Sequence, residues 1–228
     1  SPTTSGNPGP VAEFLETTSV KTPAVCDGVL DLIGHTPMLR LRRLSPRGGA
    51  EVWAKLEQFN PGGSVKDRTA LGMVLDAEAR GTLKPGGTLI EPTAGNTGVG
   101  LAMVGRARGY RVICVMPERF SVEKRIVIQM LGAQLVLTPT DQGMKGATAR
   151  AEAIRETIPG SVVLQQFQNP SNPEIHYSTT AAEIWEQTGG DLSAVVIGAG
   201  TGGTFSGVAR FLSERAPDVA RVVVEPVG

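Results

Sequence analysis

From Glu51 to Glu225, short β-rich runs alternate with longer stretches whose apolar residues recur at helical spacing, and few folds accept that rhythm. Strands are predicted over Glu51–Leu56, Thr88–Glu91, Arg111–Val115, Gln134–Thr138, Val162–Gln166, Ala194–Ile197 and Arg221–Glu225. Helices are predicted over Asp67–Arg80, Thr97–Arg108, Val122–Leu131, Gly143–Thr157, Tyr177–Gln187 and Gly203–Glu214. A helix between two strands carries the chain back to the starting edge, so the strands run parallel and the helices cover the sheet. The expected fold class is therefore α/β, with open twisted sheets and ligands at the carboxyl ends of the strands. The 228 residues, 40% of them hydrophobic, suffice for one large core or two small ones.

Charge and composition narrow the function classes. Twenty-two basic residues balance twenty-two acidic ones and aromatics make up 4%, so neither a phosphate-backbone footprint nor a base-stacking surface is expected. No apolar run approaches the roughly 20 residues of a membrane helix, and the first residues lack the order of a secretory signal, which makes the cytoplasm the expected location. Cys26 and Cys114 are far apart, as are His35 and His176, so neither a disulfide framework nor a metal site is expected. Cys114, within R-V-I-C-V-M, reads as a small buried hydrophobe. Residues 1–28, opening S-P-T-T-S-G-N-P-G-P, read as a flexible leader.

Three loops could carry chemistry. In N-P-G-G-S-V-K-D-R, Asn60–Arg68, Ser64 followed by Asp67 matches a capping box, with the helix starting at Val65 and Lys66 in its first turn. The positive end of the helix dipole disfavours an ammonium there and favours a neutral, nucleophilic amine. The plain alternative is an exposed first-turn lysine. A nucleotide P-loop is excluded, since no G-x-x-x-x-G-K-[ST] is present. In E-P-T-A-G-N-T-G, Glu91–Gly98, Thr93, Gly95, Asn96 and Thr97 offer donors at a helix N-terminus, suited to a carboxylate or phosphate; an ordinary strand-to-helix turn uses the same residues. In V-V-I-G-A-G-T-G-G-T, Gly198, Gly200 and Gly203 meet the G-x-G-x-x-G pattern, with Glu225 at the end of the next strand. That spacing fits a dinucleotide in an NAD-dependent oxidoreductase, and fits equally one terminal phosphate cupped by glycine and threonine amides.

Together and in this order, the three loops resemble the cysteine synthase and cystathionine β-synthase family of pyridoxal-phosphate enzymes, of tryptophan synthase β-like fold type II. Similar stretches include I-G-H-T-P-M (Ile33–Met38), V-M-P-E (Val115–Glu118), G-M-K-G-A (Gly143–Ala147), Q-Q-F (Gln165–Phe167), N-P-E-I-H-Y (Asn172–Tyr177) and T-T-A-A-E-I-W (Thr179–Trp185), so the likeness runs from about Leu30 to Pro226. It implies that Lys66 forms the Schiff base with pyridoxal 5'-phosphate and moves the α-proton. It also implies that Gly200, Thr201, Gly202, Gly203 and Thr204 hold the phosphate, and that Asn96 bonds the ring hydroxyl. Thr93, Ala94, Gly95, Thr97 and Gln166 would receive the substrate carboxylate. Two α/β domains are implied, residues 29–170 with the lysine and substrate loop and 171–228 beginning a second with the phosphate loop, in a homodimer. The expected reaction is β-replacement on O-acetylserine by sulfide, giving cysteine; the alternatives are cystathionine formation from homocysteine and a non-catalytic homologue.

The chain departs from the family pattern in two places. Ala94 stands where many relatives have serine, a change that with E-R-F-S-V-E-K (Glu118–Lys124) and His176–Tyr177 looks like the cystathionine branch, whereas G-M-K-G-A looks like the sulfide-using one. The chain ends at V-V-V-E-P-V-G, where family members continue and supply the Ser or Thr that faces the pyridine nitrogen; no residue here is assigned that role.

Overall fold

The computed structural model describes residues 25–93 and 95–225, so most of the expected leader, and Ala94, lie outside the described residues. Met38–Arg40 (β1) and Trp53–Lys55 (β2) pair antiparallel, Met38 opposite Lys55 and Arg40 opposite Trp53. β1 escaped the sequence reading, and the pair corrects the expectation of parallel strands throughout. Only a turn-rich connection joins these strands, and without a crossover helix neighbouring strands run antiparallel.

The central sheet follows the expected rhythm. Lys66–Ala79 (α1) leads to Thr88–Pro92 (β3), Asn96–Ala107 (α2), Arg111–Pro117 (β4), Val122–Met130 (α3), Gln134–Thr138 (β5), Gly143–Thr157 (α4) and Val162–Val163 (β6). The strands lie parallel in the order β5-β4-β3-β6, with Ile90 beside Ile113 and Val163. Both faces are covered, and β4 shows the period of two that this requires. Its Val112, Cys114 and Met116 pack with Ala70, Met73 and Val74 of α1 and Leu101 and Val104 of α2, while Ile113 and Val115 pack with Ala147 and Ala151 of α4. Cys114 is fully buried, and burial pushes its thiol up to about 12, the inert hydrophobe the sequence suggested.

Two expected elements differ. The strand predicted over Val162–Gln166 stops at Val163, because Gln165 takes φ of +57° and the N–H groups of Gln165 and Gln166 are captured by the Glu91 carboxylate at 2.9 and 3.0 Å. Those donors cannot also serve a strand ladder. The helix predicted from Tyr177 begins at Ser171 and has three parts: Ser171–Ile175 (α5), a π-helical turn over His176–Ala181, and Ala182–Gln187 (α6). Pro173 lies in the first turn, where a proline is tolerated.

Ala194–Gly198 (β7), Gly203–Arg215 (α7) and Ala220–Val224 (β8) complete the described chain, β7 and β8 pairing in parallel with Val196 beside Val222. Val195, Val208, Phe211, Leu212 and Val219 form a second core with Ala181 and Ile184, so α7 packs on the π-helical turn.

Candidate functional site

Lys66 opens α1 at its first residue. The capping box is not formed: Ser64 Oγ accepts the Lys66 N–H at 3.2 Å, and the helix starts one residue later than expected, at Lys66. Asp67 accepts instead from the Gly62 N–H at 2.6 Å, in the Gly62–Gly63 turn. Burial pushes the Asp67 carboxyl up to about 6. Lys66 is half-buried rather than exposed, and burial lowers its amine pKa, which adds to the dipole argument for a neutral amine. A close approach fixes the backbone here. A Cβ on Gly100 would lie 2.9 Å from the Lys66 carbonyl oxygen, so α2 crosses α1 against the lysine itself.

The second loop converges on a glutamine. Thr97 Oγ1 donates to Gln166 Oε1 at 2.6 Å, which leaves the Gln166 amide N–H groups free to donate. Thr93 Oγ1 accepts from the N–H groups of Gly95 and Gly98 at 3.3 and 3.1 Å, so its own hydroxyl proton is also free. Thr93, Thr97 and Gln166 are buried together, whereas Asn96 is exposed at the start of α2. These free donors, with the α2 N-terminus, suit a carboxylate.

Gln166 is held in place by Glu91, which the sequence reading passed over although it opens the loop motif. Its carboxylate sits at the carboxyl end of β3, 1% exposed, and burial pushes it up to about 7 against the Gln166, Gln165 and Leu164 backbone N–H groups that lower it. A carboxyl with a raised native pKa binds its proton more tightly in the fold than in the unfolded chain, so it lowers stability as pH rises from about 4.5 to about 7. That loss amounts to about 3 kcal/mol. Glu91→Gln is expected to remove this fall, visible as a smaller difference between urea midpoints at pH 5 and pH 7.5 than in the parent.

The third loop joins the other two. Gly202 takes φ of +79°, a left-handed turn that delivers the chain to the N-terminus of α7. Gly200 and Gly202 would find open space for a Cβ, while one on Gly203 would collide with the Asn172 amide. Gln166, Asn172, Thr201, Gly202, Gly203 and Ser206 line a polar cavity of about 190 Å³. The first-turn N–H groups of α7 have no partner within the helix and give this cavity the character of an anion cradle. Asn172 Nδ2 reaches both the Gln166 carbonyl and Thr201 Oγ1 at 2.9 Å, and Asn172 Oδ1 accepts from Thr69, one turn beyond Lys66, at 3.3 Å. The structure thus connects Thr97, Gln166, Thr201 and Thr204 through Asn172, His176 and Thr69, the last on the helix that Lys66 opens. Asn172, His176 and Thr69 were assigned no role from sequence. N-P-E-I-H-Y was the available signal, but only the fold shows what Asn172 and His176 touch.

The donor set matches a phosphorylated carbonyl compound: an amine of lowered basicity, an anion cradle beyond it, and carboxylate donors beside it. Among the described residues no group of His, Cys, Asp and Glu is placed to hold a metal. A family model described as pyridoxal-phosphate dependent enzyme matches residues 29–228. A probable cysteine synthase of Bacillus subtilis is 49% identical over 201 residues, 87% of this chain and 65% of that protein. Cystathionine beta-synthase of Rattus norvegicus is 46% identical over 228 residues, 98% of this chain and 41% of that protein. The solved structure of an O-ureido-L-serine synthase superposes with a TM-score of 0.82 at 47% identity, over 88% of this chain and 63% of that one. The chain thus spans less than two thirds of the length of these relatives.

Proposed function

The chain belongs to the family of pyridoxal-phosphate dependent enzymes, and from that premise we propose that the protein performs β-replacement on O-acetylserine with sulfide, forming L-cysteine and acetate. The observation that carries this reading is the half-buried Lys66 amine on a helix whose Thr69, one turn on, joins a hydrogen-bond chain that reaches Thr201 on one side and Gln166 and Thr97 on the other. Pyridoxal phosphate, when bound, supplies the electron sink that makes the α-proton of an amino acid removable. Gly200, Thr201, Gly202, Gly203 and Thr204 would hold its phosphate, Lys66 its carbonyl carbon, and Asn96 its ring hydroxyl. Lys66, its charge disfavoured by burial, would hold the cofactor's carbonyl carbon through its amine and, once released, would take the substrate α-proton. Thr93, Ala94, Gly95, Thr97 and Gln166 orient the substrate carboxylate, and closure of that loop excludes water.

A second reading, cystathionine formation from homocysteine, is favoured by the likeness to the rat protein over 98% of the chain. The O-ureido-L-serine synthase likeness makes other nucleophiles a matter for the same assay. The dinucleotide reading of Gly198, Gly200 and Gly203 gives way to the family match. The assembly we propose is a homodimer, checked by sedimentation; no described helix is long and apolar enough to cross a membrane.

The test is the visible absorbance of the purified protein with pyridoxal phosphate, followed on adding O-acetylserine and then sulfide. A band that shifts with the first and returns with the second, with cysteine formed, is the expected result. A return with homocysteine and not sulfide assigns the second reading, and a protein that takes up no cofactor overturns both.

A further inference from the structure

The hydrogen-bond chain behind the glycine loop has a direction, set by which of its atoms can donate and which can only accept. The Gln166 carbonyl can only accept, so the Asn172 atom facing it at 2.9 Å is Nδ2, and the second N–H of that amide goes to Thr201 Oγ1 at 2.9 Å. Thr201 Oγ1 also accepts from the Gly203 N–H at 3.3 Å. Both lone pairs of the Thr201 oxygen are then engaged, and its proton points to the loop cavity that Thr201 lines.

The other branch is oriented in the same way. Asn172 Oδ1, with its amide turned this way, accepts from the Thr69 hydroxyl at 3.3 Å. With its proton so used, Thr69 Oγ1 can only accept from His176 Nε2, 3.1 Å away, so that nitrogen carries the hydrogen. Thr204 Oγ1 lies 3.3 Å from the same Nε2 and faces its N–H, not a lone pair, so the Thr204 proton is also left for another acceptor. His176 Nδ1 then accepts from Thr180 Oγ1 at 2.9 Å, one turn along the π-helical segment. The imidazole is fully buried, and burial, with Lys66 and Arg68 nearby, pushes it down to about 3; it is neutral, with one donor and one acceptor nitrogen.

We propose that Asn172 and His176 are positioning residues that turn the hydroxyl protons of Thr201 and Thr204 outward, so that both donate to an anionic phosphate held in the loop. The inference rests on the reading of Thr201–Thr204 as a phosphate cradle. It adds that the loop's donor pattern is imposed from behind, by the hydrogen bonds of Asn172 and His176. Tying Thr69 into the same chain also couples the phosphate position to the helix that carries Lys66.

The test compares two aldehydes, pyridoxal 5'-phosphate and pyridoxal, which differ only in the phosphate. His176→Phe is expected to weaken binding of the phosphorylated aldehyde roughly tenfold or more and to leave pyridoxal nearly unchanged. His176→Gln, whose amide nitrogen can occupy the Nε2 position, should restore most of the difference. Equal losses for both aldehydes would mean that His176 only fills space, and the proposal falls. A nitrogen-15 spectrum of the histidine-labelled parent provides the second readout. The chain has only two histidines, and His176→Gln assigns the signals. An Nε2–H tautomer for His176 supports the proposal, and an Nδ1–H tautomer or an imidazolium at neutral pH overturns it even if the Phe variant does not fold. A parent that binds neither aldehyde refutes the phosphate-cradle reading instead, and the tautomer still decides the direction of the hydroxyls.

Discussion

Lys66→Ala is expected to abolish the proposed β-replacement and the covalent uptake of pyridoxal phosphate, while the melting temperature stays at or above that of the parent. Loss of the proton-carrying role alone predicts a fall of roughly 10²–10⁴-fold, and loss of the nucleophile adds to it. Stability is spared because the lysine amine is half-buried and burial lowers its pKa, so the fold gives nothing to the charged form. The sign follows: a lysine with a depressed native pKa weakens the fold increasingly as pH falls from its ordinary range through the native value, and alanine removes that weakness. Steady-state cysteine production and thermal melts of both proteins check this. A Lys66→Ala protein with parental turnover would remove Lys66 from the site.

Arg68→Met, two residues along the same helix, is expected to do the opposite and cost about 3–5 kcal/mol of stability. Arg68 is 1% exposed and bonds Glu57 through Nε and one terminal nitrogen at 2.9 Å, and Glu183 through both terminal nitrogens at 2.6 and 2.8 Å. Lys55 adds a further bond to Glu183 at 2.6 Å. Burial alone would raise the Glu183 carboxyl, but Arg68 and Lys55 together hold it down to about 2. Glu57 is lowered in the same way: burial raises it, and Arg68, Thr36 and Asn60 together outweigh burial. Without the guanidinium, two carboxylates are left in a site with Lys55, Thr36, Asn60 and the His35 N–H to face them. Urea unfolding at neutral pH measures the loss. A drop of under about 1 kcal/mol would place this cluster with exposed ion pairs rather than buried ones.

The contrast between these neighbours shows how far local pattern reaches. The positions of β3, β4, β5 and their helices could be read from periodicity because each side chain's environment repeats along its own element. The three loops could be read because glycine, threonine and asparagine at a helix N-terminus have a local reason to be there. Lys66 was legible as a first-turn residue for the same reason, and the family resemblance named its partner. The expected capping box failed within this local range, since a glycine turn five residues away supplies the donor that Asp67 takes.

Arg68 and Glu183 are 115 residues apart, and no spacing rule marks them as partners. Glu91 and Gln166, Thr69 and Asn172, and His176 and Thr204 likewise meet only because the strand order and helix packing bring them together. The antiparallel β1–β2 pair, the early end of β6 and the π-helical turn were settled by that same packing. Residue order along the chain sets periodicity, turn chemistry and the nature of each loop, because those depend on neighbours a few positions away. Which buried polar groups share a proton depends on distances across the core, and the folded chain alone defines those.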